Sequence, residues 1–458
     1  MNSQSLLDLQ KETFLNGTTH SFKHRESMLQ TMKTMLKENE YEIYQALHTD
    51  LNKSQHETLT TELGILYTEI DFALKNLSRW MKDENVAAPI THQGTKNYII
   101  HEPLGNVLVI SPWNYPLQLA LAPAIGALAA GNTVILKPSE VAPATEELLR
   151  NLITKYYDEK YFGIITGDKY VSDELVGLRF DYIFFTGSTN VGKKIMKRAS
   201  ENLTPLTLEL GGKSPAIITA DANIKLAAKR IAWGKFTNSG QTCVAPDYVY
   251  VEEKIKNKFL KELIRNTKRL YKNNPLKNEK YVKIINSNHF DRLINLLNQS
   301  DENQLIYGGA SDRETLKIEP TLLHNISWED EIMNDEIFGP ILPVLTFNDI
   351  SEAITNINKQ EKPLALYFFG KDKDAESQVL KSIRFGGGAI NDTLYHLANP
   401  HLPFGGIGHS GQGAYHGDYS YQTFTHKKGI MEQTTKFDLP FRYPNSKLSK
   451  KIVKYILK

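Results

Sequence analysis

One cysteine occurs in the 458-residue chain, and it lies in the stretch FTNSGQTCVAPDY as Cys243. A single thiol cannot form an internal disulfide or a metal site built from several thiolates, which fits a reducing, cytosolic compartment. Most free cysteines are small buried apolar residues, and this explanation applies to Cys243 as well. The other is chemical, because an ionised thiol is a strong nucleophile. Cys243 follows a helix and a turn, whose backbone N–H groups could lower the pKa of its thiol. Cys243 is therefore a packed core residue or the nucleophile of a covalent mechanism.

Two more polar residues have types that such a mechanism would use. Asn114, in SPWNYP, carries a neutral amide that could donate a hydrogen bond to a developing oxyanion. Glu209, in TLELGGK, has leucine on both sides, and burial beside them would raise its pKa and suit it to act as a general base. Taken singly, Asn114 is equally explained as a turn residue between prolines, and Glu209 as a solvated carboxylate at a strand end.

Two glycine-containing motifs and the histidines carry less chemistry than their letters indicate. Residues 187–194 read GSTNVGKK, and Lys194 stands where a nucleotide-hydrolysing P-loop needs a hydroxyl for Mg²⁺. A helix start there still offers N–H groups and a positive dipole end to a phosphate. Residues 406–411 read GIGHSG but lack the flanking strand and helix of a dinucleotide fingerprint. The 13 histidines form no HExxH pattern, so we predict no metal site.

Composition and charge exclude several classes of protein. The chain has 54 basic and 52 acidic residues, a net charge of +2, which gives no reason to expect a nucleic-acid partner. The N-terminus lacks the apolar core of a signal peptide. Residues 103–136 carry no charge, but prolines interrupt them, so a buried loop and core helix are predicted rather than a membrane span.

Periodicity indicates the elements that must position the polar residues. Residues 3–82 have helical spacing, and 86–102 read as two short strands around Gly94. From residue 104 onward, strands and helices alternate, which predicts βαβ units, a parallel sheet and a ligand site at the carboxyl ends of its strands. A helix with Asp221 as its N-cap precedes Cys243. A second α/β body follows it.

Six short segments occur in the order and spacing of the aldehyde dehydrogenase superfamily, which the chain resembles from about residue 100 to 425. The short N-terminal region and CVAPDY resemble its class 3, fatty-aldehyde branch. Each segment alone is weak evidence, but six in order are specific. They are SPWNYP (111–116), LKPSE (136–140), ELGGK (209–213), GQTC (240–243), EIFGP (336–340) and PFGG (403–406).

The resemblance implies an α/β fold with a Rossmann-like cofactor-binding domain, a second α/β catalytic domain and a small β oligomerisation arm. The predicted boundaries are 1–81 with 103–209 for the cofactor domain and 210–390 for the catalytic domain, which carries the cysteine. Residues 82–102 with 391–432 would form the arm and an active-site loop, and 433–458 a basic tail. The hairpin at 86–102 and the strand-like run 419–433, YSYQTFTHKKGIMEQ, would form the dimer arm. A homodimer in the cytoplasm is expected, because these strands would otherwise expose sheet edges.

The resemblance also implies a reaction, the NAD(P)-dependent oxidation of aldehydes to carboxylic acids. Cys243 would form a thiohemiacetal and then a thioester. Asn114 and the Cys243 N–H would stabilise the oxyanion, and Glu209 would activate water. NAD is the expected cofactor, with NADP as an alternative. The implied contacts are Lys137 and Glu140 with the adenosine ribose, Gly187, Ser188 and Gly192 at the pyrophosphate, Glu336 with the nicotinamide ribose, and Phe338 near its ring.

The substrate is expected to be a small-molecule aldehyde of medium or long aliphatic, aromatic or polyene type. Tyr115, Trp233 and Phe404 would line an apolar tunnel for it, although core packing explains each of them equally well. Two rival functions stay open at this point. One is a dehydrogenase that passes the thioester to coenzyme A, and the other is a catalytically silent binding or structural protein on the same fold.

The tail over residues 447–458 places apolar residues on one helical face and lysines beside them. It is far too short to span a membrane, which needs ~20 apolar residues. Either it is a frayed or dimer-docked terminus, or it makes a weak peripheral contact with an anionic membrane.

Overall fold

The computed structural model describes residues 2–271 and 274–439, together with Tyr443 and Lys454. The predicted membrane-contacting tail, residues 447–458, therefore lies outside the described residues except for Lys454. Among the helices that are described, none combines the length and the apolar character needed to cross a membrane.

Helices and strands alternate along most of the described chain. The α-helices are Ser3–Leu15 (α1), Phe22–Glu38 (α2), Glu40–Leu51 (α3), Gln55–Thr58 (α4), Gly64–Trp80 (α5), Gln118–Ala129 (α6), Pro143–Tyr156 (α7), Lys169–Gly177 (α8), Thr189–Ala199 (α9), Ile224–Phe236 (α10), Lys256–Tyr271 (α11), Ser287–Asn298 (α12), Ile350–Asn358 (α13), Lys373–Ser382 (α14) and Asp418–Thr423 (α15). A π-helical turn, Leu59–Leu63, joins α4 to α5.

The strands form three larger sheets and one two-stranded ribbon. They are Glu84–Val86 (β1), Thr95–Pro103 (β2), Asn106–Ile110 (β3), Thr133–Lys137 (β4), Phe162–Ile164 (β5), Tyr182–Thr186 (β6), Leu206–Glu209 (β7), Pro215–Ile218 (β8), Tyr248–Glu252 (β9), Leu305–Tyr307 (β10), Ser311–Asp312 (β11), Lys317–Ile318 (β12), Thr321–Leu323 (β13), Ile341–Phe347 (β14), Ala365–Phe369 (β15), Gly387–Ile390 (β16), Gly411–Gln412 (β17) and Thr425–Gln433 (β18).

Two predominantly parallel sheets confirm the predicted α/β class. The first has the order β17-β7-β6-β3-β4-β5, in which only β17 runs antiparallel to its neighbour. The second has the order β10-β13-β14-β9-β8-β15-β16, in which only β10 does. Every residue of β3 and β4 is buried, because helices cover both faces of such a sheet. This explains why these strands read as continuous apolar runs.

The third sheet, β1-β2-β18, differs in detail from the sequence prediction. β2 pairs antiparallel with β18 over nine residues and also with β1, but β1 begins two residues before the predicted hairpin. The run 419–433 was predicted to be strand-like throughout, and this was wrong for its first part, which is α15. The physical reason is tertiary packing: Tyr421 is buried and stacks on Trp80 with ring centroids 5.0 Å apart.

The prediction that Asp221 caps α10 was also wrong. The cap is Asn223, whose side chain accepts a hydrogen bond from the Leu226 N–H. The Asp221 carboxylate instead accepts from the N–H groups of Lys371 and Asp372, at 2.7 Å each. Asp221 therefore joins the loop after β8 to the loop after β15, a long-range contact that competes with local capping.

The predicted division into domains stays a proposal, but the sheets show which stretches pack together. Residues 106–209 supply five strands of the six-stranded sheet, and residues 215–390 supply all seven strands of the second parallel sheet. The sixth strand of the first sheet, β17, comes from the predicted arm and loop region 391–432 and pairs with β7. The C-terminal part of the chain therefore completes the edge on which Glu209 lies.

Candidate active site

The carboxyl ends of four neighbouring strands lie side by side in the six-stranded sheet. Ile110, at the end of β3, is opposite Lys137 on one side and Phe185 on the other. Thr186, at the end of β6, is opposite Glu209, at the end of β7. Ligands of parallel sheets bind at this edge, and the candidate residues are placed on it.

A cavity of about 540 Å³ opens at this edge and extends to the loops of the second parallel sheet. It brings together side chains that are far apart in the sequence, since its wall contains both β6–α9 residues and the loop before β14. Six predicted site residues line it: Asn114, Gly187, Ser188, Cys243, Glu336 and Phe338. Seven do not: Tyr115, Lys137, Glu140, Gly192, Glu209, Trp233 and Phe404.

A strained turn positions Cys243. After α10, Asn238 and Ser239 adopt left-handed conformations with φ of 54° and 53°, which cost energy for residues other than glycine. The Glu57 carboxylate stabilises the turn by accepting a hydrogen bond from the Asn238 N–H at 2.8 Å. Gly240 follows with φ of 73°, and a Cβ there would lie 2.2 Å from the carbonyl oxygen of Gly339. The turn therefore packs directly against the EIFGP segment, and only glycine fits at 240.

The environment of the Cys243 thiol corrects one expectation. The N–H groups of Cys243 and Val244 do favour the thiolate, but burial, followed by the nearby carboxyl groups of Glu336 and Glu209, raises the pKa of the thiol above its usual value. The net direction is upward because desolvation and negative charge outweigh two backbone donors. In this state Cys243 is a protonated thiol, half-buried at the cavity wall.

Asn114 is buried, and its hydrogen bonds fix its orientation. Its side-chain amide donates to the carbonyl oxygen of Gln241 at 3.1 Å. Its own backbone carbonyl accepts from the Lys53 ammonium at 3.1 Å and from the Asn238 amide at 2.9 Å. A side-chain amide carries two N–H groups. One is used here, which leaves the other to donate to a ligand in the cavity.

Glu209 lies behind the cavity wall, next to the lining residues Leu210 and Gly211. It is 2% exposed, and neither of its carboxyl oxygens has a hydrogen-bond partner among the described residues. Burial raises the pKa of this carboxyl well above its usual value, in the direction that the flanking leucines indicated. Buried polar atoms without partners are uncommon, so Glu209 is a natural place for a water molecule to bind.

Glu336 reaches over the backbone that follows Glu209. A Cβ on Gly211 would lie 2.2 Å from the Glu336 carboxyl, so the close approach requires glycine. Burial and the charge of Asp247 raise the pKa of Glu336 to about 8, although the Gly212 N–H, which donates to it, opposes the shift. Two residues later Phe338 has a φ of 49° and also lines the cavity.

The raised pKa of Glu336 predicts a pH-dependent stability. The folded chain holds a proton that the unfolded chain releases above its ordinary pKa of 4.5, so this contribution to stability is complete below that pH and is lost towards pH 8. Glu336→Gln cannot release a proton. We therefore expect the melting temperature of the dinucleotide-free wild type to fall relative to this variant between pH 4.5 and 8.

Thermal unfolding of both proteins across that pH range checks the prediction. The matched control is Glu361→Gln, because the Glu361 side chain is 75% exposed. It should follow the wild type at every pH. Parallel wild-type and Glu336→Gln curves would contradict the assigned proton.

The start of α9 provides a cradle that fits a dinucleotide pyrophosphate. Gly187, Ser188 and Thr189 line the cavity there, and Ser188 caps the helix by accepting the Val191 N–H. The hydroxyl of Thr186, also in the lining, is buried without a hydrogen-bond partner in the described chain. Free N–H groups at a helix start and an unpaired hydroxyl suit an anionic ligand.

Gly192 has a packing role in the structure. A Cβ there would meet the Leu210 side chain at 2.7 Å, so glycine lets α9 approach the end of β7.

Lys137 and Glu140 form an ion pair at 2.6 Å near the end of β4, with side chains 2% and 40% exposed. An ammonium donor beside a carboxylate acceptor can bind neighbouring hydroxyl groups, which fits the predicted ribose contact.

The three predicted tunnel residues contact other side chains. The Tyr115 hydroxyl is 2.6 Å from that of Thr242, the neighbour of Cys243. Trp233 is half-buried and stacks on Tyr395 with ring centroids 5.4 Å apart. Phe404 is buried and packs edge-on against a neighbouring aromatic ring. The tunnel therefore stays a prediction.

Several site residues were missed by sequence reasoning. Lys235 is fully buried behind the Cys243 turn, its ammonium has no hydrogen-bond partner in the described residues, and burial lowers its pKa to about 8. Its signal was its position four residues after Ile231, on the apolar face of α10. Arg292 donates to the carbonyl of Ile337 at 2.5 Å and so holds the Glu336 loop, but no pattern in the sequence around it indicated this role.

Among the residues described, no cluster of His, Cys, Asp or Glu could hold a metal ion.

The arrangement can perform covalent carbonyl chemistry. A thiol and an amide donor share one cavity, a buried carboxyl group lies directly behind its wall, and the N-terminal residues of α9 also line it. These groups can add sulfur to a carbonyl carbon, stabilise the resulting oxyanion and activate water.

Known proteins match this chain over a range that includes all of the candidate site residues. Residues 8–430 match the aldehyde dehydrogenase family. The chain is 46% identical over 448 residues to 4,4'-diaponeurosporen-aldehyde dehydrogenase of Staphylococcus aureus, covering 98% of this chain and 97% of that protein. It is 41% identical over 447 residues to the dimeric NADP-preferring aldehyde dehydrogenase of Mus musculus, covering 97% and 98%. Its structure is similar to the substrate-bound state of Staphylococcus aureus AldH, with a TM-score of 0.98, 45% identity and 100% of both chains covered.

Proposed function

Because the chain belongs to the aldehyde dehydrogenase family and oxidises aldehydes with NAD(P)⁺, we propose that it does so through a covalent thioester on Cys243. The observation that carries the proposal is the meeting of Cys243 and Asn114 in one cavity, with the buried carboxyl of Glu209 behind its wall. None of the three would need to be near the others in a protein that only binds or only packs.

In the first half-reaction, Cys243 Sγ loses its proton to solvent and bonds to the aldehyde carbon, whose π electrons move to the oxygen. The free N–H of the Asn114 amide and the Cys243 backbone N–H donate to this oxyanion. NAD(P)⁺, when bound, supplies the hydride acceptor that turns the thiohemiacetal into a thioester. The thiolate is needed because a free carbonyl carbon releases hydride poorly, whereas a tetrahedral alkoxide releases it readily.

In the second half-reaction, the ionised carboxylate of Glu209 takes a proton from water while the water oxygen bonds to the thioester carbon. The carbon–sulfur bond then breaks and the carboxylic acid leaves. Cys243 is regenerated as a thiol with a proton from solvent, and Glu209 releases to solvent the proton that it took from water. The raised pKa of Glu209 supports this role, because burial makes its carboxylate a stronger base than an ordinary glutamate. A dehydrogenase that passes its thioester to coenzyme A would not need this base.

Three groups of residues are proposed to contact the dinucleotide. We assign the pyrophosphate to the α9 start at Gly187 and Ser188, the nicotinamide ribose to Glu336, and the adenosine ribose to the Lys137–Glu140 pair. The Glu140 carboxylate would repel a 2′-phosphate, which favours NAD over NADP.

We propose apolar aldehydes of medium or long chain, or polyene aldehydes, as substrates. Tyr115, Trp233 and Phe404 are the residues proposed to line their binding tunnel. The support is the contact between the hydroxyls of Tyr115 and Thr242, next to Cys243, and a relative named for 4,4'-diaponeurosporen-aldehyde. We also propose a cytoplasmic homodimer in which the β1-β2-β18 sheet lies at the interface. The mouse relative is named as dimeric, and light scattering that gives the mass of a single 52.0 kDa chain would remove this part.

One kinetic experiment tests these assignments together. Purified protein is assayed with aldehydes of increasing chain length, with NAD⁺ or NADP⁺, and with or without coenzyme A. We expect kcat/KM to rise about fourfold per methylene until the tunnel is filled, since burial of each contributes about 0.8 kcal/mol. We further expect NAD⁺ to be preferred and carboxylate to form without coenzyme A. A preference for small polar aldehydes would exclude the apolar tunnel, and acyl-coenzyme A as the product would exclude hydrolysis.

A further inference from the structure

A fully buried ion pair contacts the backbone of the segment that carries Asn114. Lys53, just after α3, and Glu62, in the π-helical turn, are 2.5 Å apart, and both side chains are 0% exposed. The Lys53 ammonium also donates to the carbonyl oxygen of Asn114 at 3.1 Å, and it lies 4.1 Å from the centroid of the Tyr115 ring. The cation is therefore shared between its carboxylate partner and the candidate oxyanion segment.

The carboxylate of the pair holds the other end of the same segment. The second oxygen of Glu62 accepts the N–H groups of Leu117 and Gln118 at 2.9 and 3.1 Å, where α6 begins. A carboxylate at a helix start is favoured by the helix dipole. The pair therefore binds both ends of residues 114–118: Lys53 donates to the carbonyl group of Asn114, and Glu62 accepts two N–H groups at the start of α6.

A second acidic residue of the N-terminal region holds the loop that carries the thiol. Glu57 accepts the Asn238 N–H, and the Asn238 side chain donates to the carbonyl oxygens of Asn114 and Gln241. The Asn114 side chain donates to that same carbonyl of Gln241. The two segments are therefore tied to each other and, through Lys53, Glu57 and Glu62, to the N-terminal helices.

Stability alone is a poor reason for this ion pair. Burial of two charges costs desolvation energy, and their replacement by uncharged residues of similar shape is often neutral or stabilising. Among the described residues, every further hydrogen bond of the two side chains goes to the backbone of residues 114–118. We infer that Lys53 and Glu62 are positioning residues for the reaction, which hold the Asn114 amide where the oxyanion develops. This inference rests on the proposed role of Asn114 as the oxyanion donor.

The test is the double variant Lys53→Met/Glu62→Gln. It removes both charges together, so that neither is left unpaired, and the glutamine carbonyl can still accept from the start of α6. We expect kcat to fall about 10- to 100-fold, because small displacements of a catalytic group have effects of this size. Dinucleotide affinity should stay within about twofold, since neither residue lines the cavity. The matched control is Lys33→Met/Asp71→Asn, a partly exposed pair between α2 and α5, which should keep wild-type kcat.

A double-mutant cycle with Asn114→Ala separates positioning from general damage. If the pair acts through Asn114, adding Lys53→Met/Glu62→Gln to Asn114→Ala costs no more than about twofold further in kcat. Multiplicative losses would overturn the inference, and so would wild-type kcat in the Lys53→Met/Glu62→Gln variant while Asn114→Ala is slow. Wild-type kcat in Asn114→Ala would instead remove the proposed oxyanion role, and the inference with it. If the double variant does not fold, Glu62→Gln alone enters the same cycle with the same criteria.

Discussion

Cys243→Ala is expected to lower aldehyde oxidation by more than about 10³-fold, because loss of a nucleophile removes the covalent route altogether. Binding of NAD⁺ should persist. The proposed dinucleotide contacts at Gly187, Ser188 and Glu336 belong to other segments of the cavity wall. Steady-state NADH formation and calorimetric titration with NAD⁺ measure the two quantities separately.

The single cysteine supplies an internal control for this experiment. A thiol-directed reagent should add once to the wild type and not at all to Cys243→Ala, since the sequence contains no other cysteine. Protection of the wild type by an aldehyde would place the substrate at the same sulfur. Oxidation near the wild-type rate in the unlabelled variant would end the covalent mechanism.

Glu209→Gln should stop the reaction after hydride transfer. The thioester still forms, but the neutral amide cannot take a proton from water, and loss of a general base typically costs 10²- to 10⁴-fold. The expected trace is a burst of about one NADH per chain, followed by a slow steady state. Mass spectrometry of the stalled protein should find the acyl group on Cys243.

The matched control is Glu147→Gln, which removes an exposed carboxylate on α7 that does not line the cavity. It should show no burst and normal turnover. If Glu209→Gln itself turns over normally, the base is another group. Glu336 is then the next residue to test, since its carboxyl faces the same cavity.

The fold class could be predicted because burial on both faces leaves a local trace. All five residues of β3 are buried, and after Asn106 the other four are apolar. The strand therefore reads as an apolar run between helical patterns. The arm was predicted less well. Residues 419–423 alternate like a strand, but contact between Tyr421 and Trp80, which are remote in sequence, favours a helix. No local pattern contains that contact.

The site could be predicted only as far as its chemistry resides in short segments. Cys243, Asn114 and Glu209 stand in distinctive motifs, whereas Lys53 and Glu62 occur in a helical region where charged residues usually face solvent. Lys53 is buried in contact with Asn114, 61 positions further on, and Glu62 in contact with Leu117 and Gln118. The direction of the Cys243 pKa shift could not be predicted from the local sequence either. It depends on burial and on the carboxyl groups of Glu336 and Glu209, which are remote in sequence.

The pairing of β17 with β7 affects when the active site can form during synthesis. Gly411 lies opposite Glu209, and the Leu210 N–H donates to the carbonyl of Ser410 at 3.1 Å. The strand of the proposed base therefore acquires its outer neighbour from residues 411–412. Translation proceeds at about 5–20 residues per second, and contacts of long sequence separation form late in folding. The cysteine is therefore made roughly ten to thirty seconds before the segment that completes the sheet edge of the base. Until β17 has been synthesised, a ribosome-bound chain therefore carries its thiol without the complete sheet edge beside the proposed base.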